Sequence, residues 1–340
     1  MKNMKAIGFK EHLPIESEKS LVDINKEIPV VQGHDLLVKV NAVSVNPVDV
    51  SVRRNGRGQL KYPKIIGWDA VGTVAQIGNQ VTNFKTGDRV WYAGSFIRPG
   101  SDEEFQLVDE RIVGSAPVNL SDEQAATIPL VGLTAYESLF EQLPINVKAN
   151  NHNKVILIIN GAGGVASIAV QLAHLAGLKI IATASRLESI KWAKRNGADY
   201  IVNHRHDLVK QVRALGFKYV DYILNLQNLD AHWDEIAQLI KPEGFIAATT
   251  ENHHLIDLQK LTKKNATFAW EWMYTKSYYH TSGMISQSHI LTRLAKLYDD
   301  KKLKLIDTKH YSPINAKNLR KAHVDVETGH MTGKVTLSGW

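Results

Sequence analysis

The chain has 340 residues, of which 44% are hydrophobic and 22% charged, so it can bury a sizeable core and is neither disordered nor collagen-like. It contains no cysteine, which excludes a disulfide framework, a thiolate nucleophile, an iron–sulfur cluster and every cysteine-ligated zinc site. The formal net charge of +7 is compatible with an anionic partner but does not identify the anion. The length predicts two domains.

The first third of the chain predicts a β-rich domain. Segments 36–43, 69–77 and 89–92 are short, rich in valine and isoleucine, and separated by Gly, Pro and Asn turn signals. Their spacing predicts a small antiparallel barrel or sandwich. Two helices are then predicted, one over 121–126 with Ser121 as its N-cap and one over 132–142.

The middle third alternates predicted strands and helices. The strands are predicted over 154–159, 179–184, 199–203, 220–226 and 245–249, and the helices over 165–176, 187–196, 207–215 and 231–240. Such βα units predict a parallel sheet with right-handed connections and helices on both faces. The last part predicts strand-like aromatic residues over 268–274, helices over 285–298 and 315–330, and a closing strand over 333–337.

A glycine-rich loop follows the first strand of this alternation. The segment runs Asn160-Gly161-Ala162-Gly163-Gly164-Val165-Ala166, and a helix opens directly after it. Gly161 makes the tight turn, Gly163 lets the backbone approach a pyrophosphate, and Ala166 takes the third, packing position. The N-terminus of the helix supplies N–H groups to the phosphates, so the loop predicts a dinucleotide site.

The end of the second strand predicts which dinucleotide is bound. An acid at this place accepts the ribose 2′-hydroxyl of NAD and repels the 2′-phosphate of NADP. Here the strand ends in Ala184-Ser185-Arg186, and the nearest acid, Glu188, falls inside the next helix. Because Ser185 can donate a hydrogen bond and Arg186 can hold a phosphate, we expect NADP(H). His204, at the end of the third strand, is expected beside the adenosine phosphate, with an ordinary surface histidine as the alternative.

The chain resembles the medium-chain dehydrogenase/reductase superfamily, in particular its zinc-free quinone oxidoreductase branch, close to the zinc-type alcohol dehydrogenase-like proteins. The resemblance spans nearly the whole chain. Besides the glycine loop it is carried by Ser44-Val45-Asn46-Pro47-Val48-Asp49, Gly67-Trp68-Asp69-Ala70-Val71-Gly72, Gly87-Asp88-Arg89-Val90, the segment 125–136, Gly197-Ala198-Asp199, Trp270-Glu271-Trp272 and Gly333-Lys334-Val335.

The resemblance implies an α/β protein in which a Rossmann doubly wound parallel sheet is inserted in a GroES-like β-rich catalytic domain. Residues 1–127 would form the first part of the catalytic domain, 128–272 the NADP-binding domain, and 273–340 the return to the catalytic domain. The active site would lie in the cleft between the domains. A homodimer formed by edge-to-edge pairing of Rossmann sheets, with Trp270 and Trp272 on exposed strand, would be expected as in relatives.

The resemblance also implies roles for individual residues. Asn46 would be a hydrogen-bond donor near the nicotinamide or the substrate carbonyl, and Tyr62 a proton donor or a stacking surface for a flat substrate. Thr134, at the start of its predicted helix, would touch the cofactor, although Asn46, Tyr62 and Thr134 are also compatible with purely structural roles. The remaining cofactor contacts would be Gly161, Ala162, Gly163, Gly164, Val165, Ser185, Arg186, His204, Leu226, Thr249, Ala269, Trp270 and Glu271.

The chain departs from the zinc-dependent members of the superfamily. Their catalytic metal is held by Cys, His and Cys, and the matching positions here are Asn46, Trp68 and Val131, none of which supplies a thiolate or an imidazole. We therefore expect no metal. Without a Lewis acid the easier reaction is reduction, in which NADPH gives hydride to an electron-poor quinone, enone or carbonyl and solvent or a weak acid gives the proton.

Two other functions stay open at this point. One is a zinc-type alcohol dehydrogenase, and the other is a non-catalytic NADPH-binding protein, because no unambiguous catalytic side chain can be named. No signal peptide and no run of roughly 20 apolar residues is found, so we expect a cytoplasmic protein without a membrane segment. The lysines at 301, 302 and 304 lack interleaved aromatic residues, so a nucleic-acid partner is not expected.

Overall fold

A computed structural model describes residues 2–148 and 151–340 of the protein. The chain divides into two compact units. The β-rich unit comprises Met1–Leu133 and Tyr274–Trp340, and the parallel-sheet unit comprises Thr134–Met273. The junctions therefore fall at 133/134 and 273/274, whereas the sequence predicts 127/128 and 272/273.

The strands and helices are numbered here in chain order. The strands are β1 (Asn3–Glu11), β2 (Val22–Glu27), β3 (Asp35–Val45), β4 (Gln59–Lys64), β5 (Ala70–Ile77), β6 (Arg89–Tyr92), β7 (Phe105–Asp109), β8 (Val113–Ser115), β9 (Val155–Ile159), β10 (Lys179–Thr183), β11 (Tyr200–Val202), β12 (Val220–Asn225), β13 (Ile240–Ala248), β14 (Thr267–Trp270), β15 (Asp307–Tyr311) and β16 (Lys334–Ser338). The α-helices are α1 (Pro47–Arg54), α2 (Asp122–Ala126), α3 (Pro129–Glu137), α4 (Gly164–Leu175), α5 (Leu187–Asn196), α6 (Leu208–Ala214), α7 (Leu229–Leu239), α8 (Thr275–Tyr278), α9 (Ile285–Asp299) and α10 (Ala316–Glu327). Shorter 3₁₀ and π turns cover Glu18–Ser20, Glu110–Ile112, Ser138–Gln142 and Leu258–Lys264.

In the β-rich unit, a mixed sheet runs in the order β15-β16-β3-β5-β6-β8, with β7 also paired to β3, and a smaller sheet runs β2-β1-β4. The register of the larger sheet matters for function. Val335 of β16 pairs with Val45 of β3, and Val43 pairs with Ala70 of β5. The residues that flank these pairs, Lys334 and Asn46 among them, are therefore brought together from distant parts of the chain.

In the parallel-sheet unit, the strand order is β11-β10-β9-β12-β13-β14, and every neighbouring pair is parallel. Counted within the unit, this order is 3-2-1-4-5-6, that of a dinucleotide-binding sheet, and the order reverses between β9 and β12. Strand residues such as Leu157, Ile181 and Ile223 are fully buried, as expected for a sheet covered on both faces. The predicted fold class is confirmed.

Several predicted elements differ from the structure. The predicted helix 132–142 begins earlier, at Pro129, because proline is well suited to a first helical turn, and it ends in a π-helical turn. The predicted strand over 268–274 stops at Trp270, so Trp272 lies beyond it. Helix α1 was not predicted, although Asn46 and Asp49 form a capping box around Pro47 at its start.

None of the helices in the described parts of the chain is long and apolar enough to cross a membrane.

Candidate functional site

The glycine loop of the parallel-sheet unit forms a tight turn between β9 and α4. Asn160 has a left-handed backbone, with φ of 69°, and the Gly161 N–H donates to the Thr183 carbonyl at 2.8 Å. A Cβ on Gly161 would lie 2.7 Å from the Ala182 Cβ, so only glycine fits against the neighbouring strand. The turn is thus held onto β10, as the sequence predicts.

The N-terminus of α4 is suited to an anion. Gly163 is the N-cap residue, no acid stands in the first turn, and within the described residues no side chain caps the helix. A Cβ on Gly163 would lie 3.1 Å from Asn160 Nδ2 and would fill the hollow of the loop. The loop and the first turn of α4 therefore offer a helix N-terminus and backbone N–H groups, those of Ala162, Gly164 and Val165, that fit a pyrophosphate.

Polar side chains gather at the carboxyl ends of β10 and β11. Thr183 Oγ1 accepts from the Asn160 N–H at 2.9 Å and lies 3.3 Å from Nδ1 of the half-buried His204. Burial, together with the charges of His232 and Arg205, lowers the pKa of His204. A neutral imidazole there can accept or donate a hydrogen bond.

The two residues predicted to select the cofactor lie beside this group. Ser185 follows β10 and Arg186 is the N-cap residue of α5, and both are half-buried. The exposed Arg205 follows His204, and the sequence reasoning did not include it. The signal that could have identified it is a basic residue in the loop after a strand of the nucleotide-binding sheet, three residues beyond the end of β11.

The predicted contacts to the ribose and nicotinamide lie at the ends of the next strands. Leu226 follows β12, and Thr249 follows β13 and donates its N–H to the Asn225 carbonyl at 3.1 Å. Ala269 and Trp270 end β14, and the Glu271 N–H donates to the Ala248 carbonyl at 2.8 Å. Since the strands are parallel, these residues all lie at the carboxyl-terminal end of the sheet.

Thr134 is placed differently from the prediction. It was expected at the start of its helix, but α3 begins at Pro129, so Thr134 is an interior helix residue. It is buried, with 7% of its surface exposed. Its cofactor contact stays a prediction.

Asn225 is a polar residue at this end of the sheet that the sequence analysis does not identify. It ends β12 directly beside Ile159 of β9, where the strand order reverses and where ligands bind in sheets of this kind. It is fully buried, and in the described part of the chain neither its Oδ1 nor its Nδ2 has a hydrogen-bond partner. A buried amide without a partner is costly, and its place at the reversal of strand order makes Asn225 a candidate for a hydrogen bond to a ligand. The signal was an asparagine ending an apolar strand.

A pair of buried acids lies under the turn after β14. Glu271 and Glu137 are 4% and 2% exposed and share a hydrogen bond between their side chains. Gln142 Nε2 donates to Glu271 Oε2 at 3.0 Å. Burial and the adjacent Glu137 raise the pKa of Glu271 to about 9, so the pair of carboxyls holds a proton at neutral pH.

The β-rich unit contains a buried polar cluster around Asn46, which we call the Asn46 cluster: Asn46, Asp49, Asp69 and Lys334. Asn46 Nδ2 donates to Asp69 Oδ2 at 2.7 Å, and Asn46 Oδ1 accepts from the Lys334 ammonium. The ammonium also donates to Asp69 Oδ2 at 3.0 Å. All four residues are 3% exposed or less.

Asp49 closes the cluster from helix α1. Its Oδ2 accepts the backbone N–H of Asn46 at 2.7 Å. Burial raises the pKa of Asp49 to about 7, against the opposing effects of that hydrogen bond and of Lys334. Burial likewise raises the pKa of Asp69, again opposed by Lys334. The cluster can therefore gain or lose a proton near neutral pH.

The positions that hold zinc in the resembling enzymes do not fit a metal here. The single donor atom among them, Asn46 Oδ1, already faces the Lys334 ammonium, which repels a cation. Trp68 is buried, donates from Nε1 to the Ser95 carbonyl at 3.4 Å, and stacks on Phe96 with 5.2 Å between ring centres. Val131 is aliphatic. Within residues 2–148 and 151–340, no three His, Cys, Asp or Glu side chains are grouped so that they could hold a metal ion.

Tyr62 lies apart from the Asn46 cluster. It belongs to β4 of the smaller sheet, it is 70% exposed, and Lys61 Nζ lies 5.1 Å from the centre of its ring. The structure thus does not place Tyr62 among the buried groups of Asn46. Its predicted role as proton donor or stacking surface stays a prediction.

Comparisons with known proteins match both units. Residues 32–117 match the alcohol dehydrogenase GroES-like domain and residues 164–287 match the zinc-binding dehydrogenase family. A zinc-type alcohol dehydrogenase-like protein of Staphylococcus epidermidis is 40% identical over 336 residues, which cover 98% of this chain and 99% of the relative.

Two solved structures extend the similarity. A Rhizobium etli CFN 42 protein, provisionally assigned as a zinc-dependent alcohol dehydrogenase, is 42% identical, with a TM-score of 0.94 over 100% of this chain and 99% of that chain. The quinone oxidoreductase of Coxiella burnetii is 26% identical, with a TM-score of 0.81 over 100% of both chains.

Proposed function

Because this chain belongs to the medium-chain dehydrogenase/reductase superfamily of oxidoreductases, we propose that it reduces quinones or other electron-poor enones and carbonyls with NADPH, by direct hydride transfer and without a metal. The observation that carries the proposal is the Asn46 cluster. An ammonium and two carboxylates surround the residue that stands where zinc-dependent members place a cysteine ligand. Oxidation of an alcohol needs a group that binds and deprotonates the hydroxyl, which zinc does as a Lewis acid, whereas reduction of an electron-poor acceptor does not.

The nicotinamide cofactor is supported by the parallel-sheet unit. The Gly161–Val165 segment and the uncapped α4 fit the pyrophosphate, and the bound nicotinamide would supply the hydride. Asn225 would donate to or accept from the cofactor at the reversal of strand order. These residues bind and orient, which is the main contribution of a protein to hydride transfer.

Asn46 would act on the acceptor. Lys334 faces its amide oxygen and one N–H donates to Asp69, so Asn46 would donate its second N–H to the nicotinamide amide or to the oxygen of the substrate. A donor placed at that oxygen stabilises the negative charge that develops as hydride arrives. The proton would come from solvent or from a weak acid.

Turnover tests the proposal directly. Oxidation of NADPH would be followed at 340 nm with 1,4-benzoquinone, 9,10-phenanthrenequinone and small enones, with the metal content of the purified protein measured in parallel. We expect turnover with at least one acceptor, unchanged by a chelator. Absence of turnover with every acceptor would support a non-catalytic NADPH-binding protein, and stoichiometric zinc lost together with activity would support an alcohol dehydrogenase.

The preference for NADPH is proposed from Ser185 and Arg186 at the end of β10. In Arg186→Ala, the affinity for NADPH should fall by about tenfold, since a charge-assisted hydrogen bond to the 2′-phosphate contributes about 1.5 kcal/mol or more. The affinity for NADH should stay the same. Lys194→Ala, an exposed residue of the same helix, is the control. An unchanged NADPH-to-NADH affinity ratio in Arg186→Ala would show that this residue does not select the cofactor.

A homodimer in the cytoplasm is also proposed. Strand β14 is the edge of its sheet, and Trp270 and Trp272 near it are 46% and 41% exposed. Pairing of two β14 edges would cover both indoles. Sedimentation at micromolar concentration should show a dimer, and a monomer alone would contradict the pairing.

A further inference from the structure

The amide of Asn46 is held in one orientation by two neighbours of opposite hydrogen-bonding character. Lys334 can only donate and faces Asn46 Oδ1, whereas the carboxylate of Asp69 can only accept and receives Asn46 Nδ2 at 2.7 Å. Turning the amide over would set donors against the ammonium and an acceptor against the carboxylate. The contacts therefore define which way the amide faces.

Each neighbour is itself fixed. The three N–H groups of the Lys334 ammonium are used by Asn46 Oδ1, by Asp69 Oδ2 at 3.0 Å and by the Val45 carbonyl at 3.2 Å. Asp69 Oδ1 accepts the Leu130 N–H at 2.7 Å, in the first turn of α3, where a negative charge is favoured. Neither side chain can move without losing a buried charge-assisted contact.

One donor is left over. The hydrogen bonds among the described residues use a single N–H of Asn46 Nδ2, that to Asp69, and the amide group has two. Its oxygen is occupied by Lys334. In this orientation the Asn46 side chain keeps one N–H as a donor for a ligand, the group that a carbonyl or quinone oxygen requires.

We propose that Lys334 and Asp69 are positioning residues that lock the Asn46 amide with its second N–H available to the ligand. Lys334 lies 288 residues beyond Asn46, and the pairing of β16 with β3 brings the two together. The proposal rests on the proposed function in taking Asn46 as the donor. It adds that the end of the chain sets the direction of that donor, which selects ligands that present an acceptor.

The double variant Asp69→Asn/Lys334→Gln tests the lock. It removes one positive and one negative charge together, keeps the side chains similar in size, and gives both neighbours amides that can donate or accept. Lys26→Gln is the matched control, because it breaks another ion pair of the same unit, Lys26 with Glu103 at 2.7 Å. Thermal unfolding checks that each variant is folded, and Asp69→Asn alone serves if the double variant is not.

Two readouts are needed. In protein labelled with ¹⁵N-asparagine, with the Asn46 side-chain signals assigned by Asn46→Asp, amide exchange with solvent should be at least about tenfold faster in the double variant and unchanged in Lys26→Gln. With NADPH and 9,10-phenanthrenequinone, kcat should fall about tenfold or more while the KM for NADPH stays within about twofold, because the loss is one of orientation in the transition state. Asp69→Asn alone should give a smaller change in the same direction.

The outcomes separate the two proposals. Unchanged Asn46 signals and a kcat within twofold of the Lys26→Gln value would overturn the positioning role. A wild-type protein with no turnover would overturn the proposed function, and the exchange rates of the Asn46 amide would then decide the positioning role by themselves.

Discussion

The glycine loop of the parallel-sheet unit and the Asn46 cluster of the β-rich unit differ in whether their hydrogen-bonding groups have partners within the protein. The loop leaves its hydrogen-bonding groups open: α4 begins at Gly163 without a side-chain cap, and Asn225 nearby is buried without partners among the described residues. The Asn46 cluster pairs most of its polar groups internally, because Asn46 Oδ1 accepts from Lys334 and Asn46 Nδ2 donates to Asp69. We propose the first site for a large anion and the second for a ligand that accepts a hydrogen bond.

The difference also decides which of the two sites can be recognised from the sequence. The loop is local, since its residues lie within a few positions of one another in the chain, so its geometry follows from a short motif. The Asn46 cluster joins segments that are 23 and 288 residues apart. Unpaired polar groups lower the stability of the protein but can bind a ligand. Polar groups that are hydrogen-bonded within the protein are held in a fixed geometry.

Gly163→Ala should break the open site with the largest effect. The backbone there has φ of −71°, which alanine adopts readily, and the new Cβ would meet only the flexible end of Asn160 at 3.1 Å. Stability should therefore hold. The methyl group would keep a pyrophosphate from the backbone, and losing two charge-assisted hydrogen bonds at about 1.5 kcal/mol each weakens NADPH affinity by about 100-fold. Fluorescence titration with NADPH measures it.

Gly283→Ala is the matched control for this substitution. Its Cβ would meet Thr281 Oγ1 at an ordinary 3.8 Å, far along the chain from the loop. NADPH affinity should be unchanged in it. A Gly163→Ala protein that is folded and binds NADPH as tightly as the wild type would show that the pyrophosphate does not rest on this loop.

Asn225→Leu should separate stability from binding. Because the amide is buried and unpartnered among the described residues, replacing it by an apolar side chain should raise the unfolding temperature, by about 2–4 °C for each kcal/mol gained. Losing one hydrogen bond to the cofactor should weaken NADPH binding about fivefold.

A second asparagine provides the control. Asn196, the last residue of α5, is 3% exposed and also has no partner for its amide atoms among the residues described. Asn196→Leu should stabilise the apo protein and leave NADPH affinity unchanged. Equal affinities in the two variants would remove Asn225 from the cofactor site.

Much of this architecture is predictable from the sequence, and the residues show why the rest is not. The βα alternation and the Gly161 loop follow from periodicity and short motifs, and helix α5 has the predicted bounds, 187–196. The Lys334–Asp69–Asn46 contacts depend on the register of β16 against β3, which no local pattern encodes. The sequence does not identify Asn225, because its lack of hydrogen-bond partners among the described residues depends on how the carboxyl-terminal end of the sheet packs.

The two units also differ in how they hold buried acids. Asp69 has the Lys334 ammonium at 3.0 Å, whereas Glu271 has the carboxyl of Glu137 and the amide of Gln142. A cation lets a buried carboxylate stay charged, and a second carboxyl opposes it. Burial and the neighbouring Glu137 therefore favour the protonated form of Glu271 and raise its pKa.

The smallest expected effect is that of Glu271→Gln, which should change how the stability of the protein depends on pH. Burial and Glu137 raise the pKa of Glu271 from 4.5 to about 9 in the folded state, so the folded protein binds more protons than the unfolded chain between these values. Stability from this group is therefore lost progressively as pH rises through that window, and it levels off above about 9.

A glutamine mimics the protonated form, can keep the contact with Gln142 and does not ionise. The unfolding temperature of Glu271→Gln should exceed that of the wild type by more at pH 8.5 than at pH 6, by a few degrees at about 2–4 °C per kcal/mol. The exposed Glu251→Gln, in the same unit, should show a constant difference. Parallel pH profiles for Glu271→Gln and the wild type would mean that Glu271 is ionised in the folded protein at neutral pH.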